Sequence, residues 1–235
     1  MFMQAKNNKR MEFCLLVANH NGFAIVGLDA WKQAADYWIK NYFKHPRYLC
    51  LDGKPLVVIF SGDAGNVQGF AYLQEAARKA GFPGVEIARC YGGKRDSGYT
   101  LRTDYNIVPG EVSGISENHP YSELVEAQVR GWHGRPEQPY IPLAITGWDK
   151  RPWEGPDGQN GKPGSYFTGS TPEAFGNSLE KMANWMDENS EQTTNDRLAL
   201  IYAWNELGEG GWLMPTKDDP KGAYLKAVRH VIFGK

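Results

Sequence analysis

Short apolar runs alternate with stretches of helical spacing along most of this chain, and that alternation constrains the fold more than any other feature. Residues 12–18 (EFCLLVA), 56–60 (LVVIF), 85–88, 105–108, 141–145 and 198–204 (LALIYAW) read as strands. Their apolar residues do not alternate with polar ones, as expected of strands covered on both faces. Asp29 is placed to cap a helix carrying Trp31, Ala34, Ala35, Trp38 and Ile39. Further helices are predicted over 67–79, closed by Gly81, and over 123–132. Another runs from Ser170-Thr171-Pro172-Glu173, a capping hydroxyl followed by proline, to about Glu188. Asp219-Pro220 opens a closing helix through Tyr224, Val228 and Ile232, and the Gly/Pro-rich residues 155–169 read as a long loop.

Strands of this kind separated by amphipathic helices imply an α/β fold with a parallel sheet. A doubly wound sheet that binds a nucleotide needs a phosphate-cradling glycine loop, and neither GxGxxG nor GxxxxGK[ST] occurs. Polar and aromatic residues instead follow nearly every strand: Asn19-His20, Tyr91, Glu111, Trp148-Asp149 and Asn205-Glu206. Barrel enzymes assemble their sites from strand ends in this way. The expectation is therefore a single domain, residues 1–235, of (β/α)8 TIM-barrel type. Six predicted strands fall short of eight, so the barrel is expected to be incomplete, with its first one or two β/α units missing. Exposed strand edges would then be covered by an N-terminal segment or by a second copy of the chain.

Charge and composition narrow the function. With 26 basic and 27 acidic residues the net charge is −1, and no basic run provides a footprint for nucleic acid. No apolar stretch of membrane-spanning length or signal-like segment is present, so no membrane partner is expected, and the compartment stays open. Cys14, Cys50 and Cys90 lack metal or disulfide spacing, and the histidines show no HExxH pattern. No metal or cofactor is expected. Aromatic residues reach 13%, with 8 Trp and 12 Tyr, which suits a carbohydrate site because sugar C–H faces pack on rings.

The sharpest motif is Tyr202-Ala203-Trp204-Asn205-Glu206-Leu207-Gly208-Glu209-Gly210-Gly211-Trp212. Two glutamates stand three residues apart where an apolar strand enters a glycine-rich loop. Glycosidic cleavage needs two carboxyl groups, one to protonate the departing oxygen and one acting as base or nucleophile. Glu206 and Glu209 are the candidate catalytic pair. The glycines allow a sharp turn and a close approach. Trp204, Asn205 and Trp212, with Trp148, Asp149, Asn19, His20, Tyr91 and Glu111, are candidate sugar contacts. Each has a plainer reading as a loop cap, a wall or a packing residue.

The same segment, Trp204-Asn205-Glu206 followed by Glu209-Gly210, resembles the WNE-x-x-EG signature of the glycoside hydrolase family 99-like group, which includes endo-α-mannosidases and WbsX-type proteins. Three other segments agree in order: Tyr42-Phe43-Lys44-His45-Pro46-Arg47-Tyr48-Leu49 with Asp52-Gly53-Lys54-Pro55; Thr146-Gly147-Trp148-Asp149-Lys150-Arg151-Pro152-Trp153; and Pro220, Tyr224, Leu225, Ala227, Val228 and Arg229. The resemblance covers nearly all of residues 11–233. It implies a (β/α)8 barrel with both glutamates after the last strand. It further implies that Glu206 is a base toward the substrate's own 2-hydroxyl and Glu209 the acid/base toward the leaving sugar and then water. Leu207 stands where the group usually has an aromatic residue, and the group's opening strands have no counterpart here. Carbohydrate hydrolysis is the first expectation. A WbsX-type glycosyltransferase of polysaccharide assembly and a non-catalytic carbohydrate-binding barrel are the alternatives.

Overall fold

The computed structural model describes residues 2–20, 22–92, 97–108, 118–134, 138–154 and 166–234, the side chains of Phe2 and Trp153 excepted. The predicted Glu111 and most of the predicted 155–169 loop lie outside them. The chain divides into two compact units. The first comprises Met1–Asp104, Glu137–Tyr140 and Thr194–Asp196; the second comprises Tyr105–Pro136, Ile141–Thr193 and Arg197–Lys235.

In the first unit, β1 (Leu15–Val17), α1 (Leu28–Trp38), β2 (Cys50–Leu51), β3 (Lys54–Ser61), α2 (Val67–Lys79), β4 (Glu86–Tyr91) and β5 (Leu101–Arg102) follow in order. The sheet runs β1-β3-β4-β5, all parallel, with β2 folding back antiparallel on the start of β3. Successive residues of β3 point to opposite faces, yet Leu56, Val57, Val58 and Ile59 are all buried, so both faces are covered. On one side lies a core of Trp31, Phe43, Phe70, Leu73, Ile87 and Tyr99. Trp31 meets Phe70 edge to face at 5.2 Å, and α2 carries Gly69 where a Cβ would stand 2.7 Å from Trp31 Cβ.

Two expectations need correction here. Asp29 lies inside the first turn of α1, behind an N-cap at Gly27 whose φ of 82° suits only glycine, and it makes an i,i+3 pair with Lys32. The strand predicted at 105–108 is absent. Pairing falls earlier, at Leu101–Arg102, where the backbone bonds to β4 and bridges to Tyr140. The apolar Ile107 and Val108 pack instead against the core of the second unit. Periodicity cannot tell a short strand from a buried loop.

The second unit contains β6 (Asn118–Pro120), α3 (Tyr121–His133), β7 (Leu143–Ile145), α4 (Arg151–Glu154), β8 (Tyr166–Thr168), α5 (Pro172–Glu188), β9 (Leu200–Tyr202), β10 (Asn205–Glu206), β11 (Gly211–Trp212) and α6 (Ala223–Phe233). Helix α5 begins as its sequence implies, with the Thr171 hydroxyl accepting from Ala174 N and proline in the first turn. Helix α6 starts later than Pro220. Asp219 remains outside and caps it, its carboxylate accepting from the Ala223 and Tyr224 amides. Residues 166–168, predicted as loop, form a strand parallel to β6.

Strand β7 pairs in parallel with β9, Leu143 opposite Leu200 and Ile145 opposite Tyr202. Buried backbone groups must find partners, and α3 supplies three of them with side chains. Gln128 Oε1 accepts from Ile145 N at 2.9 Å, Trp132 Nε1 donates to Leu143 O at 3.0 Å, and Tyr121 Oη donates to Ile145 O at 2.7 Å. Gln128 is 0% exposed and is itself satisfied by donating to Leu124 O. Replacing Gln128 with the similarly sized methionine is expected to leave the Ile145 amide unpaired. The cost is about 1–3 kcal/mol, read as a lower urea midpoint with an unchanged denaturant slope.

Candidate active site

The residues at the end of β9 form a β-hairpin. Strands β10 and β11 pair antiparallel, Asn205 opposite Trp212 and Glu206 opposite Gly211, around a single 3-10 turn at Leu207–Glu209. Glu206, the last residue before the turn, is exposed, whereas Glu209 at its end is half-buried. Gly210 closes the turn with a φ of 77°.

The hairpin is fastened to the segment after β7. Thr146 N and Oγ1 both donate to Tyr202 O, at 2.9 and 3.2 Å, and the same hydroxyl accepts from Trp212 N at 3.0 Å. One turn further, Asp149 N donates to Glu209 O at 2.8 Å. This contact needs bare backbone on both sides. A Cβ on Gly210 would lie 2.5 Å from Asp149 N, and one on Gly147 would lie 2.6 Å from Gly210 O. The close approach read from these glycines is thus made by the protein's own loops.

A buried phenol lies under the glutamates. Tyr202, 4% exposed, packs against the rings of Tyr105 and Trp148 at 5.0 and 5.7 Å, and its hydroxyl donates to Glu209 Oε2. Burial pushes the Tyr202 hydroxyl's pKa well above the usual phenol value. The hydrogen bond to Glu209, the Glu209 charge, Tyr105 and the Glu206 charge add to it in that order. Tyr202 opens the glutamate motif but has no role among the candidate site residues; its signal in the sequence is a hydroxyl among aliphatic residues two positions before Trp204.

Other predicted contacts take varied positions. Trp204 is 54% exposed and Asn205 is also exposed. Trp148 is 2% exposed, and the Lys150 ammonium lies 4.9 Å from its ring centre. Asp149 is held by Arg151 through two bonds of 2.9 and 2.7 Å, and that guanidinium sits 3.4 Å from the Tyr166 ring centre. Trp148, Asp149 and Trp212 do converge, as walls of a cleft of about 320 Å³ shared with Ser170, Leu207 and Tyr224.

In the first unit, Asn19 is 0% exposed, and its amide bonds both to Ser61 O, at 3.3 Å, and from Ser61 N, at 3.2 Å. It ties the ends of β1 and β3 together. His20 and Tyr91 flank Phe60 at ring separations of 5.5 and 5.4 Å, so three half-buried rings run across the ends of β1, β3 and β4. In the sequence Phe60 is legible only as a strand residue.

Parallel strands separated by helices, with loops of carboxylates, tryptophans and hydroxyls at their ends, define an α/β protein. Residues 102–228, more than half of the chain, match the family described as Glycosyltransferase WbsX, and the chain belongs to that family. No curated protein matches. Among solved structures, a glycoside hydrolase-like protein superposes with a TM-score of 0.56 at 17% identity, covering 87% of this chain and 60% of the other. The GH99 endo-alpha-mannosidase from Bacteroides thetaiotaomicron superposes at 0.54 and 14% identity, covering 94% and 65%. Its complex with Bis-Tris-propane gives 0.53 and 13%, covering 94% and 68%. At these identities the likeness establishes the fold, and the chain spans about three fifths to two thirds of the neighbours' length.

Gly210→Ala is expected to strain the turn and push Asp149 away. Stability should fall by about 1–3 kcal/mol, with faster hydrogen exchange at the Asp149 amide by NMR.

Proposed function

We propose that this chain is a glycoside hydrolase-like protein acting on an α-linked polysaccharide or oligosaccharide through Glu206 and Glu209. The observation that carries this reading is the hairpin itself. It presents two carboxylates at the end of a parallel strand, one exposed and one half-buried, the latter bonded to the buried Tyr202 phenol. The architecture is taken as (β/α)8 type, supported by the parallel strands with intervening helices and by the likeness to the GH99 enzyme.

The roles come from the family resemblance and fit the exposures. Glu206 takes the proton from the substrate's 2-hydroxyl, whose oxygen attacks the anomeric carbon. Glu209 simultaneously gives a proton to the departing glycosidic oxygen as the C–O bond breaks. Glu209 then takes a proton from water, which opens the strained ring at the anomeric carbon, and Glu206 returns its proton to the 2-oxygen. Trp204, Asn205 and Trp212 are proposed to contact the sugars. His20 and Tyr91 are proposed as further sugar contacts on the first unit.

A second reading, a sugar-nucleotide-dependent glycosyltransferase, is favoured by the family's own description. Incubation with α-mannans and bacterial exopolysaccharides, with and without sugar nucleotides, separates the two. For a hydrolase, native protein releases oligosaccharides unaided, and Glu206→Gln and Glu209→Gln each reduce release about 10²–10⁴-fold while still binding the glycan. Elongation that requires a sugar nucleotide establishes the transferase. Binding without turnover in all three proteins establishes a carbohydrate-binding module.

A further inference from the structure

We propose that Tyr202 is a positioning residue for Glu209, setting which carboxylate oxygen is free to exchange a proton with the substrate. The inference rests on the reading of Glu209 as the acid/base and concerns a residue that is neither of the two glutamates nor a candidate sugar contact.

Three observations carry it. The phenol is bonded to Oε2 of Glu209, and among the described residues Oε1 makes no hydrogen bond. The phenol cannot itself meet a sugar, because Tyr202 is 4% exposed, wedged between Tyr105 and Trp148, with Gly211 so close that a Cβ there would lie 2.6 Å from its ring. Any influence on chemistry must therefore pass through Glu209. The phenol's own position is fixed, since the Tyr202 carbonyl accepts two bonds from Thr146 and its backbone pairs with Ile145. The Glu209 backbone is in turn held at its carbonyl by Asp149. A glutamate on a turn ordinarily samples several rotamers. Here it is pinned at both ends, with Oε2 engaged and Oε1 left for the reaction.

The bond has a direction that matters. The phenol donates into Oε2, so that oxygen is engaged and Oε1 is the one left to exchange a proton with the substrate. Glu206, one turn earlier and exposed, lacks such a partner among the described residues and serves as an internal reference.

The test uses carbodiimide coupling of glycinamide to carboxyl groups in the intact protein, with labelling at Glu209 relative to Glu206 read by peptide mapping. Tyr202→Phe keeps the ring and removes the donor. The ratio is expected to rise about tenfold, the factor matching loss of one hydrogen bond to a charged group. Melting temperature verifies that the variant is folded. On any glycan the protein cleaves, Tyr202→Phe should lower kcat with KM nearly unchanged and shift the pH–rate profile. It should add nothing further in a Glu209→Gln background. Should Tyr202→Phe fail to fold, 3-fluorotyrosine at position 202, a stronger donor, is expected to lower the Glu209 labelling ratio. An unchanged ratio in the folded protein overturns the positioning role, even if hydrolysis is intact. A raised ratio in a protein that cleaves no glycan supports the positioning role and counts against the hydrolase reading alone.

Discussion

The parallel pairing of β7 with β9, prolonged by Thr146, is the contact on which the candidate site depends. A strand pair alone would leave the hairpin after Tyr202 free to pivot about Ala203. Thr146 prevents this by gripping both limbs: its amide and hydroxyl take the Tyr202 carbonyl, and its oxygen takes the Trp212 amide. The hydroxyl donates once and accepts once, so a single buried side chain fixes the start and the end of the glutamate hairpin. Asp149 adds a third point at the turn through its backbone alone.

That anchor is only as rigid as β7, and β7 is held by an unusual neighbour. Its groups on the side of α3 are met by Gln128, Trp132 and Tyr121, side chains spaced along one face of the helix. An amide, an indole and a phenol thus substitute for backbone partners. Because these side chains are buried, they can leave no polar group unmet without a cost of about 1–3 kcal/mol each. The path from helix face to strand to hairpin is short, and its links are hydrogen bonds between buried or half-buried groups.

The distribution of exposed and spent side chains also shapes the functional reading. Trp148 and Asp149 match a family segment, yet one is buried beneath Lys150 and Tyr202 and the other is clamped by Arg151. Their place in the motif is accounted for by support of the glutamate turn, with part of each facing the neighbouring cleft. Asn19 likewise spends its amide on Ser61. Trp204, Asn205 and Glu206 remain open to solvent, so the hairpin's outward groups are those with capacity left for a ligand.

How much of this was legible beforehand follows from which interactions are local. The α/β class, the limits of α2 and α5, and the glutamate pair were all readable, because helical spacing, a Thr-Pro start and a short acidic motif are written in neighbouring residues. The cap at Gly27 was not legible because Asp29 has the right chemistry two residues too late, and only backbone conformation distinguishes the two. The strand at 101–102 escaped because pairing is decided by a distant partner, and the same apolar pattern at 105–108 serves a loop packed on another core. Tyr202 could be seen as a strand residue, but its bond to Glu209 exists only once the hairpin turns back over the strand. The amino-acid order by itself determined the element types and which acids stand at a strand's end. The tertiary structure alone decided which polar side chains are consumed in holding that end together, because hydrogen-bond partners remote in sequence are chosen by packing.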